Sequence, residues 1–188
     1  MRKDLRKKYC VAESKVVAFI GNVIDIKNPN ALPSIFEKVK EKYEKDVQFW
    51  IIGDGNQRKN IEKRVHDLQL NCVFWGNQPR EAIPDYLQCI DVVVLPSLQE
   101  GFGMVLVEAI KCGANAVASK VGGASEILGE SDAFELDDTF TDKISSRIVY
   151  YLENEIFQSL DVKFSWENTA EIENSHIQNI LSAKEDKF

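Results

Sequence analysis

The stretch Leu95-Pro96-Ser97-Leu98-Gln99-Glu100-Gly101-Phe102-Gly103-Met104-Val105-Leu106-Val107-Glu108-Ala109 passes from a strand through a loop into a helix. The run Asp91–Leu95, whose last residue is the first of this stretch, is mostly apolar. Such a run is typical of a strand buried on both faces. A loop with two glycines follows, and an apolar, helix-forming segment then runs from Met104 to a stop at Gly113. This order predicts one strand–loop–helix unit of a parallel sheet.

The same alternation of apolar runs and amphipathic segments continues in both directions from this unit. The predicted strands are Val16–Ile20, Val47–Ile52, Asn71–Phe74, Asp91–Leu95, Asn115–Ser119 and Ala133–Leu136. The predicted helices are Leu32–Lys45, Arg58–Leu68, Arg80–Gln88, Met104–Lys111, Ala124–Leu128, Thr141–Asn154 and Ser165–Leu181. We therefore expect one α/β domain over residues 1–188, a doubly wound parallel sheet of about six strands flanked by helices, with its core at about residues 16–166.

The composition limits the classes of function. The chain has a net charge of −7, which argues against a nucleic-acid partner, because such proteins usually present a basic face. The basic opening segment, Met1–Lys8, is interpreted as a solvated helix face, with a membrane or partner contact as the alternative. The four cysteines show no metal-site spacing or disulfide density, and they predict reduced thiols in a cytoplasmic protein. His66 and His176 are isolated, so we expect no metal site.

Chemistry is expected in the loops that follow the strands, because ligands of such sheets bind outside the carboxyl ends of the strands. The exposed amides of Gly103, Met104 and Val105 would form an anion site at a helix N-terminus. Glu100 and Glu108 suit paired hydroxyls of a sugar or a ribose, since the two oxygens of a carboxylate accept hydrogen bonds from both. The alternative is an ordinary glycine-rich turn with two solvated glutamates.

Three other loops contribute weaker signals. Gly21–Asn28 follows the first strand, and its Lys27 would reach a phosphate, although a lone lysine in a loop is more often a surface charge. Gly53-Asp54-Gly55 after the second strand is a turn signal by itself. Trp75–Pro79 after the third strand would place backbone groups and an amide beside a base.

Taken in order, these loops resemble the C-terminal domain of the family 4 glycosyltransferases, which have the two-domain GT-B architecture. Glu100 and Glu108 match that family's pair of glutamates separated by seven residues. Gly21 and Lys27 match its phosphate loop. Further matching elements follow in the expected order, namely Gly53-Asp54-Gly55, Phe74-Trp75-Gly76, Gly122-Gly123-Ala124-Ser125-Glu126 and Phe164-Ser165-Trp166. The resemblance spans about residues 16–166.

The resemblance implies that a nucleotide sugar, a UDP-, GDP- or ADP-sugar, binds at these loops. Asn77 and Gln78 would border the base. The residues implied in contact with this donor are Gly21, Asn22, Lys27, Gly53, Asn77, Gln78, Glu100, Gly101, Phe102, Gly103, Met104, Val105 and Glu108.

Roles in the reaction follow from the same resemblance. Lys27 and the amides from Gly103 to Val105 would hold the diphosphate, and Glu108 would bind the ribose hydroxyls. Glu100 and the Gly101–Gly103 backbone would contact the transferred, hexose-type sugar, so Glu100 and Lys27 are the candidate catalytic residues. Such enzymes retain the anomeric configuration and require no bound metal or other cofactor, because positive groups stabilise the leaving diphosphate.

Two departures from the family pattern stand out. Asn22 occupies the position where the family usually has an arginine, five residues before the lysine, so one of two phosphate cations is missing. The chain also begins almost at the first strand, and the family's N-terminal acceptor-binding domain is expected to be absent. We therefore expect donor binding without transfer by this chain alone.

The missing domain would be a partner of this chain, together with a glycan or lipid-linked acceptor in polysaccharide or glycolipid synthesis. Through that domain the enzyme would contact the inner face of a membrane peripherally. Two alternatives remain open, a nucleotide-sugar epimerase of the same fold and a non-catalytic carbohydrate- or partner-binding module.

Overall fold

A computed structural model describes residues 2–9, 11–161 and 164 of the chain. The predicted helix Ser165–Leu181, most of the Phe164-Ser165-Trp166 element, Cys10 and His176 lie outside these residues.

Thirteen helices and strands make up the described part of the chain. The strands are β1 (Lys15–Ile20), β2 (Val47–Ile52), β3 (Cys72–Gly76), β4 (Val92–Leu95), β5 (Asn115–Ser119) and β6 (Ala133–Phe134). The α-helices are α1 (Arg2–Lys8), α2 (Leu32–Lys42), α3 (Arg58–Asp67), α4 (Ile83–Cys89), α5 (Met104–Lys111), α6 (Ala124–Leu128) and α7 (Phe140–Glu153). Three 3₁₀ turns accompany them, Asp25–Lys27, Pro29–Ala31 and Arg80–Ala82.

The strands form one parallel sheet with the order β3-β2-β1-β4-β5-β6. The chain builds outward from β1 to β3 on one side and then returns to build from β4 to β6 on the other. This is the doubly wound arrangement, so the predicted fold class and number of strands are confirmed. The reversal lies between β1 and β4, where Val17 pairs with Val92. A ligand is expected above such a switch point, at the carboxyl ends of the strands.

Helices cover both faces of the sheet. On one face α2 packs against α3 and α7, and on the other α4 packs against α1 and α5. Every residue of β4 is buried, as expected for a strand covered on both sides. The stacked rings of Phe36 on α2 and Phe49 on β2, with centroids 4.4 Å apart, show how a helix stripe meets the sheet. No described helix has the length and apolar character that crossing a membrane requires.

Element bounds differ from the predictions mostly at the ends. The third strand runs to Gly76 and not to Phe74, and the sixth ends at Phe134 and not at Leu136. The predicted helix Arg80–Gln88 divides into a 3₁₀ turn and α4, with Pro84 in the first turn of α4. Proline fits the first turn of a helix but disrupts an interior position, which explains why the helix starts anew there.

The basic opening segment is only partly a solvated face. Arg2 and Arg6 of α1 point inward to Asp91, with nitrogen–oxygen distances of 3.0 and 3.3 Å. The carboxylate of Asp91 also accepts a hydrogen bond from the backbone amide of Val16 at 2.8 Å and lies 3.7 Å from the ammonium of Lys15. Asp91 therefore joins α1, β1 and β4 at the amino ends of the strands.

The segment after α7 follows the open edge of β5. The side-chain amide of Gln158 accepts a hydrogen bond from Ala116 N (2.6 Å) and donates one to Ala116 O (2.9 Å). In return, the amide of Asn115 donates to Ile156 O and accepts from Gln158 N, both at 2.9 Å. Because β6 pairs only with Ala118 and Ser119, these bonds satisfy backbone groups that β6 does not reach.

Candidate functional site

Two loops face each other across the switch point, Gly21–Asn28 after β1 and Pro96–Gly103 after β4. The backbone amides of Leu98 and Gln99 both donate to the carbonyl of Ile26, at 2.9 and 3.4 Å. These bonds hold the two loops together at the carboxyl edge of the sheet. We call these two loops, with the first two turns of α5, the switch-point site.

Lys27 and Glu100 meet in this site. Their side chains form an ion pair with a distance of 2.5 Å between Lys27 Nζ and Glu100 Oε2. The side chains are 23% and 13% exposed, so the pair is partly shielded from water yet accessible to a ligand. Sequence reasoning brought both residues to the site but assigned them to different parts of a donor, and the direct pairing was not predicted.

The position of Lys27 depends on a turn that the sequence analysis missed. Residues 25–27 form a single 3₁₀ turn, in which Lys27 N donates to Ile24 O at 2.9 Å. Asn28 ends the turn in the left-handed region, with φ 48°. Asparagine tolerates that conformation better than most residues. The dipeptide Asn28-Pro29 was the signal in the sequence for a turn at this position.

Glu100 has further partners around its carboxylate. The buried hydroxyl of Ser97 lies 3.4 Å from Glu100 Oε2, and Gly101 N lies 3.3 Å from Oε1. The hydroxyl of Ser119 on β5 donates to Ser97 O at 2.5 Å. The loop after β4 is therefore supported from β5, and the orientation of Glu100 follows from that support.

Gly122 and Gly123 lie directly under the same loop. A Cβ atom on Gly122 would lie 2.1 Å from Glu100 O, and Gly122 has a φ of +54°. A Cβ atom on Gly123 would lie 2.8 Å from Phe102 O, and Gly123 N donates to Gly101 O at 3.1 Å. The sequence analysis noted this pair of glycines but gave it no role. Its role is to allow the loop after β5 to approach the Glu100–Phe102 backbone.

The N-terminus of α5 opens into the site. Gly103 is the residue before the first turn, with φ +86°, a conformation that glycine adopts without steric cost. Within the described residues, the amides of Gly103, Met104 and Val105 have no hydrogen-bond acceptor. Met104 is 51% exposed. The predicted anion site therefore has free donors in the place where a phosphate would approach.

Glu108 lies on the second turn of α5. It is half-buried, and among the described residues its carboxylate has no hydrogen-bond or ion-pair partner. A carboxylate in this state has its full capacity to accept hydrogen bonds from hydroxyl groups.

The loops after β1, β2 and β3 pack closely through glycines. A Cβ atom on Gly53 would lie 2.0 Å from Gly21 O, and Gly53 N donates to Gly76 O at 2.8 Å. The following carboxylate, Asp54, accepts hydrogen bonds from Gly55 N (2.7 Å) and from Arg58 (2.8 Å). These bonds lower the pKa of Asp54 below its ordinary value. Gly53 therefore serves close packing of the backbone, beyond the turn that the sequence predicted.

The residues expected beside the base are arranged less favourably. The side-chain amide of Gln78 donates to Trp75 O at 2.7 Å and accepts from the hydroxyl of Tyr86 at 2.9 Å. This amide holds its own loop together, whereas Asn77 is exposed. Asn22, in the position of the missing cation, is exposed as well.

Other reactive groups lie away from the site. His66 is 91% exposed on α3. Burial raises the pKa of the Cys72 thiol to about 12, and it also raises the pKa values of Cys89 and Cys112. Within residues 2–9, 11–161 and 164, no three histidine, cysteine or acidic side chains are grouped as metal ligands.

Comparison with known proteins gives the site its context. The family described as glycosyl transferases group 1 matches residues 1–167. The chain is 33% identical over 127 residues to the phosphatidylinositol N-acetylglucosaminyltransferase GPI3 subunit of Saccharomyces cerevisiae, covering 66% of this chain and 28% of that protein. The chain thus spans about a third or less of this relative's length.

Solved structures have the same fold. The crystal structure of Anabaena Alr3699/HepE in complex with UDP and glucose superimposes with a TM-score of 0.70 at 25% identity, over 81% of this chain and 42% of that one. The C-terminal domain of the group 1 protein LpcC from Francisella tularensis gives 0.69 at 20% identity, over 82% and 83%. The likeness to LpcC concerns the fold alone. On the match over residues 1–167, this chain belongs to the group 1 glycosyl transferase family, and it has the Rossmann-like α/β fold of its GT-B structural neighbours.

Proposed function

We propose that the switch-point site binds a nucleotide sugar and that this chain is the donor-binding part of a retaining glycosyltransferase. The observation that carries the proposal is the convergence of a lysine, two glutamates and the free amides of a helix N-terminus at one switch point. An anion and several hydroxyl groups on the same molecule would satisfy all of them. A nucleotide sugar has both, in its diphosphate and in its ribose and hexose.

Each part of the donor is assigned to a different group of residues in the site. The diphosphate takes the amides of Gly103, Met104 and Val105 together with Lys27. The ribose hydroxyls bind Glu108, whose carboxylate has no competing partner in the described structure. The hexose contacts Glu100 and the backbone from Gly101. The base borders Asn77 and the backbone at Gln78, since the Gln78 side chain is already hydrogen-bonded.

The chemistry assigned to these groups is stabilisation of a leaving diphosphate. When the bond from the anomeric carbon to the phosphate oxygen breaks, negative charge grows on that oxygen. Lys27 and the α5 amides are the donors that we assign to this charge, which is the electrostatic task that a metal ion performs elsewhere. We propose that donor binding needs no metal and that the sugar keeps its anomeric configuration.

The acceptor and the rest of the enzyme are further parts of the proposal. The matched relatives are several-fold longer than the match, so transfer is assigned to this domain together with an acceptor-binding domain. The yeast relative's name refers to phosphatidylinositol, which supports a lipid-linked acceptor. Glycosyl transfer is preferred to epimerisation because of the family match and because His66 lies away from the site.

Calorimetry with UDP, GDP and ADP tests the donor site. Replacing Lys27 or Glu108 by alanine removes a charged hydrogen-bond partner, worth about 1.5–3 kcal/mol, so we expect affinity to fall by about tenfold to a hundredfold. Lys63→Ala is the matched control, because Lys63 is 77% exposed on α3 and pairs only with its helix neighbour Asp67 among the described residues. Addition of EDTA should leave the affinity unchanged. Absence of binding at millimolar concentration for all three nucleotides and for UDP-glucose, GDP-mannose and ADP-glucose would contradict the proposal.

A further inference from the structure

The two charged groups that would hold opposite ends of the donor's reactive bond bind each other in this structure. Lys27 Nζ and Glu100 Oε2 are 2.5 Å apart. In the proposed complex, Lys27 belongs to the diphosphate and Glu100 to the sugar. A ligand that takes only one of them leaves the other without its present partner.

Contacts other than the ion pair hold the two loops in place. Leu98 N and Gln99 N hold the two loops together through Ile26 O, and Gly122 supports the backbone of Glu100. Rotation of the long side chains of Lys27 and Glu100 is therefore enough to separate the two charges. The loops keep the two groups within reach of each other in both states.

A nucleoside diphosphate and a nucleotide sugar differ in what they offer this pair. A diphosphate alone attracts Lys27 but brings negative charge next to Glu100 and provides no hydroxyl for it. A nucleotide sugar provides phosphate oxygens for Lys27 and hydroxyl donors for Glu100. Removing one member of a partly buried ion pair without replacing it is unfavourable, whereas replacing both partners is not.

We propose that the Lys27–Glu100 ion pair makes the site select nucleotide sugars over nucleoside diphosphates, with Glu100 as the specificity-determining residue. The inference rests on the proposed donor site. It has a consequence for turnover, since the nucleoside diphosphate is also the product that remains after transfer. Once the sugar has left, Glu100 can pair with Lys27 again. Glu100 then competes with the diphosphate for Lys27, and the affinity for the product falls.

Isosteric replacement of Glu100 tests the inference. Glu100→Gln removes the negative charge and frees Lys27, so we expect UDP to bind about threefold to tenfold more tightly, in line with one partly shielded charge interaction. UDP-glucose should gain less or lose affinity, because its hydroxyls lose a charged acceptor. The ratio of the two dissociation constants should therefore shift toward UDP. The pairs GDP with GDP-mannose and ADP with ADP-glucose are measured in the same way. The result is taken from the pair that binds the unaltered chain.

A double-substitution cycle separates partner exchange from simple repulsion. On a Lys27→Ala background, Glu100→Gln should give a smaller gain in diphosphate affinity than on the natural background. Asp25→Asn is the charge-matched control, because Asp25 lies on the same turn but accepts its hydrogen bond from Gln57 (2.5 Å) and not from Lys27. It should not change the ratio of diphosphate to nucleotide-sugar affinity.

The outcomes distinguish this inference from the proposed function. If the unaltered chain binds a diphosphate but Glu100→Gln binds it equally or more weakly, the selection mechanism is wrong and the donor site stands. An equal gain on both backgrounds, or an equal change in Asp25→Asn, would reduce the effect to general charge repulsion and overturn the exchange. If no diphosphate or nucleotide sugar binds the unaltered chain, the proposed function fails together with the inference.

Discussion

Gly122, in the loop after β5, packs directly against the backbone of the candidate catalytic residue Glu100. Its α-carbon faces the carbonyl of Glu100 so closely that a methyl group there would lie 2.1 Å from the oxygen. The backbone also has a φ of +54°, which side chains other than glycine rarely adopt. Space and conformation therefore both require glycine at this position.

Gly122→Ala should displace the loop that carries Glu100. We expect the free energy of unfolding to fall by about 1–3 kcal/mol from the strained conformation alone. Nucleotide-sugar affinity should fall by tenfold or more, because Glu100 moves away from the site. Gly113→Ala is the control, since Gly113 also has a positive φ of +86° but would place its Cβ atom in open space. It should lower stability in urea unfolding without lowering affinity in calorimetry. Equal losses of affinity in both variants would contradict the proposed support of the loop.

At this scale the sequence predicted which residues gather and missed how they pair. Lys27, Glu100 and the α5 amides meet because each follows a strand at the switch point, which the order of elements already implies. The ion pair, the role of Gly122 and the engaged amide of Gln78 depend on contacts between loops distant in sequence. No local pattern encodes those contacts.

At the scale of elements, a cluster of charged side chains joins α1, β1 and β4 at the end of the sheet opposite the switch-point site. Asp91 directly precedes β4. Its side chain is 14% exposed and forms ion pairs with Arg2 and Arg6 of α1. Breaking such a pair on one side leaves a cation with poor solvation. The aromatic ring of Tyr9, at the end of α1, also packs 4.9 Å from that of Tyr86 on α4.

Asp91→Asn keeps the shape of the side chain but removes its charge. We expect the free energy of unfolding to fall by about 1–3 kcal/mol, because two arginines lose their shared carboxylate. Asp142→Asn is the control, since Asp142 is 59% exposed and its pairs with Lys38 and Lys42 are surface contacts. A change within about 0.5 kcal/mol is expected there. Chemical unfolding of both variants gives the comparison, and similar losses would show that Asp91 has no special role.

Element prediction succeeded where one pattern dominates. The segments β2, β5, α5 and α6 have the predicted bounds, because each is an apolar run or stripe with a clear stop. Bounds shifted where two signals compete, as at α4, where a proline interrupts a segment of helical character. The inward contacts of α1 were missed because they are ion pairs of Arg2 and Arg6, which the periodicity of apolar residues does not detect.

The whole molecule should lose stability at alkaline pH. Burial, and then the hydrogen bond to Asp132, raise the pKa of Tyr151 to about 12, and burial raises the pKa values of Tyr43, Tyr86 and Cys72. The folded chain therefore holds these protons more tightly than the unfolded chain does. The contribution of these groups to the free energy of unfolding is fully present below their ordinary pKa values, 9.0 for the thiol and 10.0 for the phenols. It declines as the pH rises from there toward about 12.

Urea unfolding at a series of pH values from about 8 to 11 measures this decline. Tyr151→Phe removes one of the titrating groups, so its stability should fall less steeply with pH, although its stability at pH 8 is lower through the lost hydrogen bond to Asp132 (2.9 Å). Exposed Tyr150, beside it on α7, provides the control substitution to phenylalanine. An unchanged slope in Tyr151→Phe would mean that this phenol does not contribute to the decline.

The side-chain amides of Asn115 and Gln158 lie at an edge of the sheet and bond backbone groups there. A parallel sheet ends in a strand whose outward N–H and C=O groups can recruit a strand from another molecule. Here the sixth strand is too short to shield the beginning of β5, and a single glutamine side chain takes the place of a neighbouring backbone at Ala116. We therefore expect residues 156–158 to protect the domain against edge-to-edge self-association, and any shortened form intended for isolation should keep them.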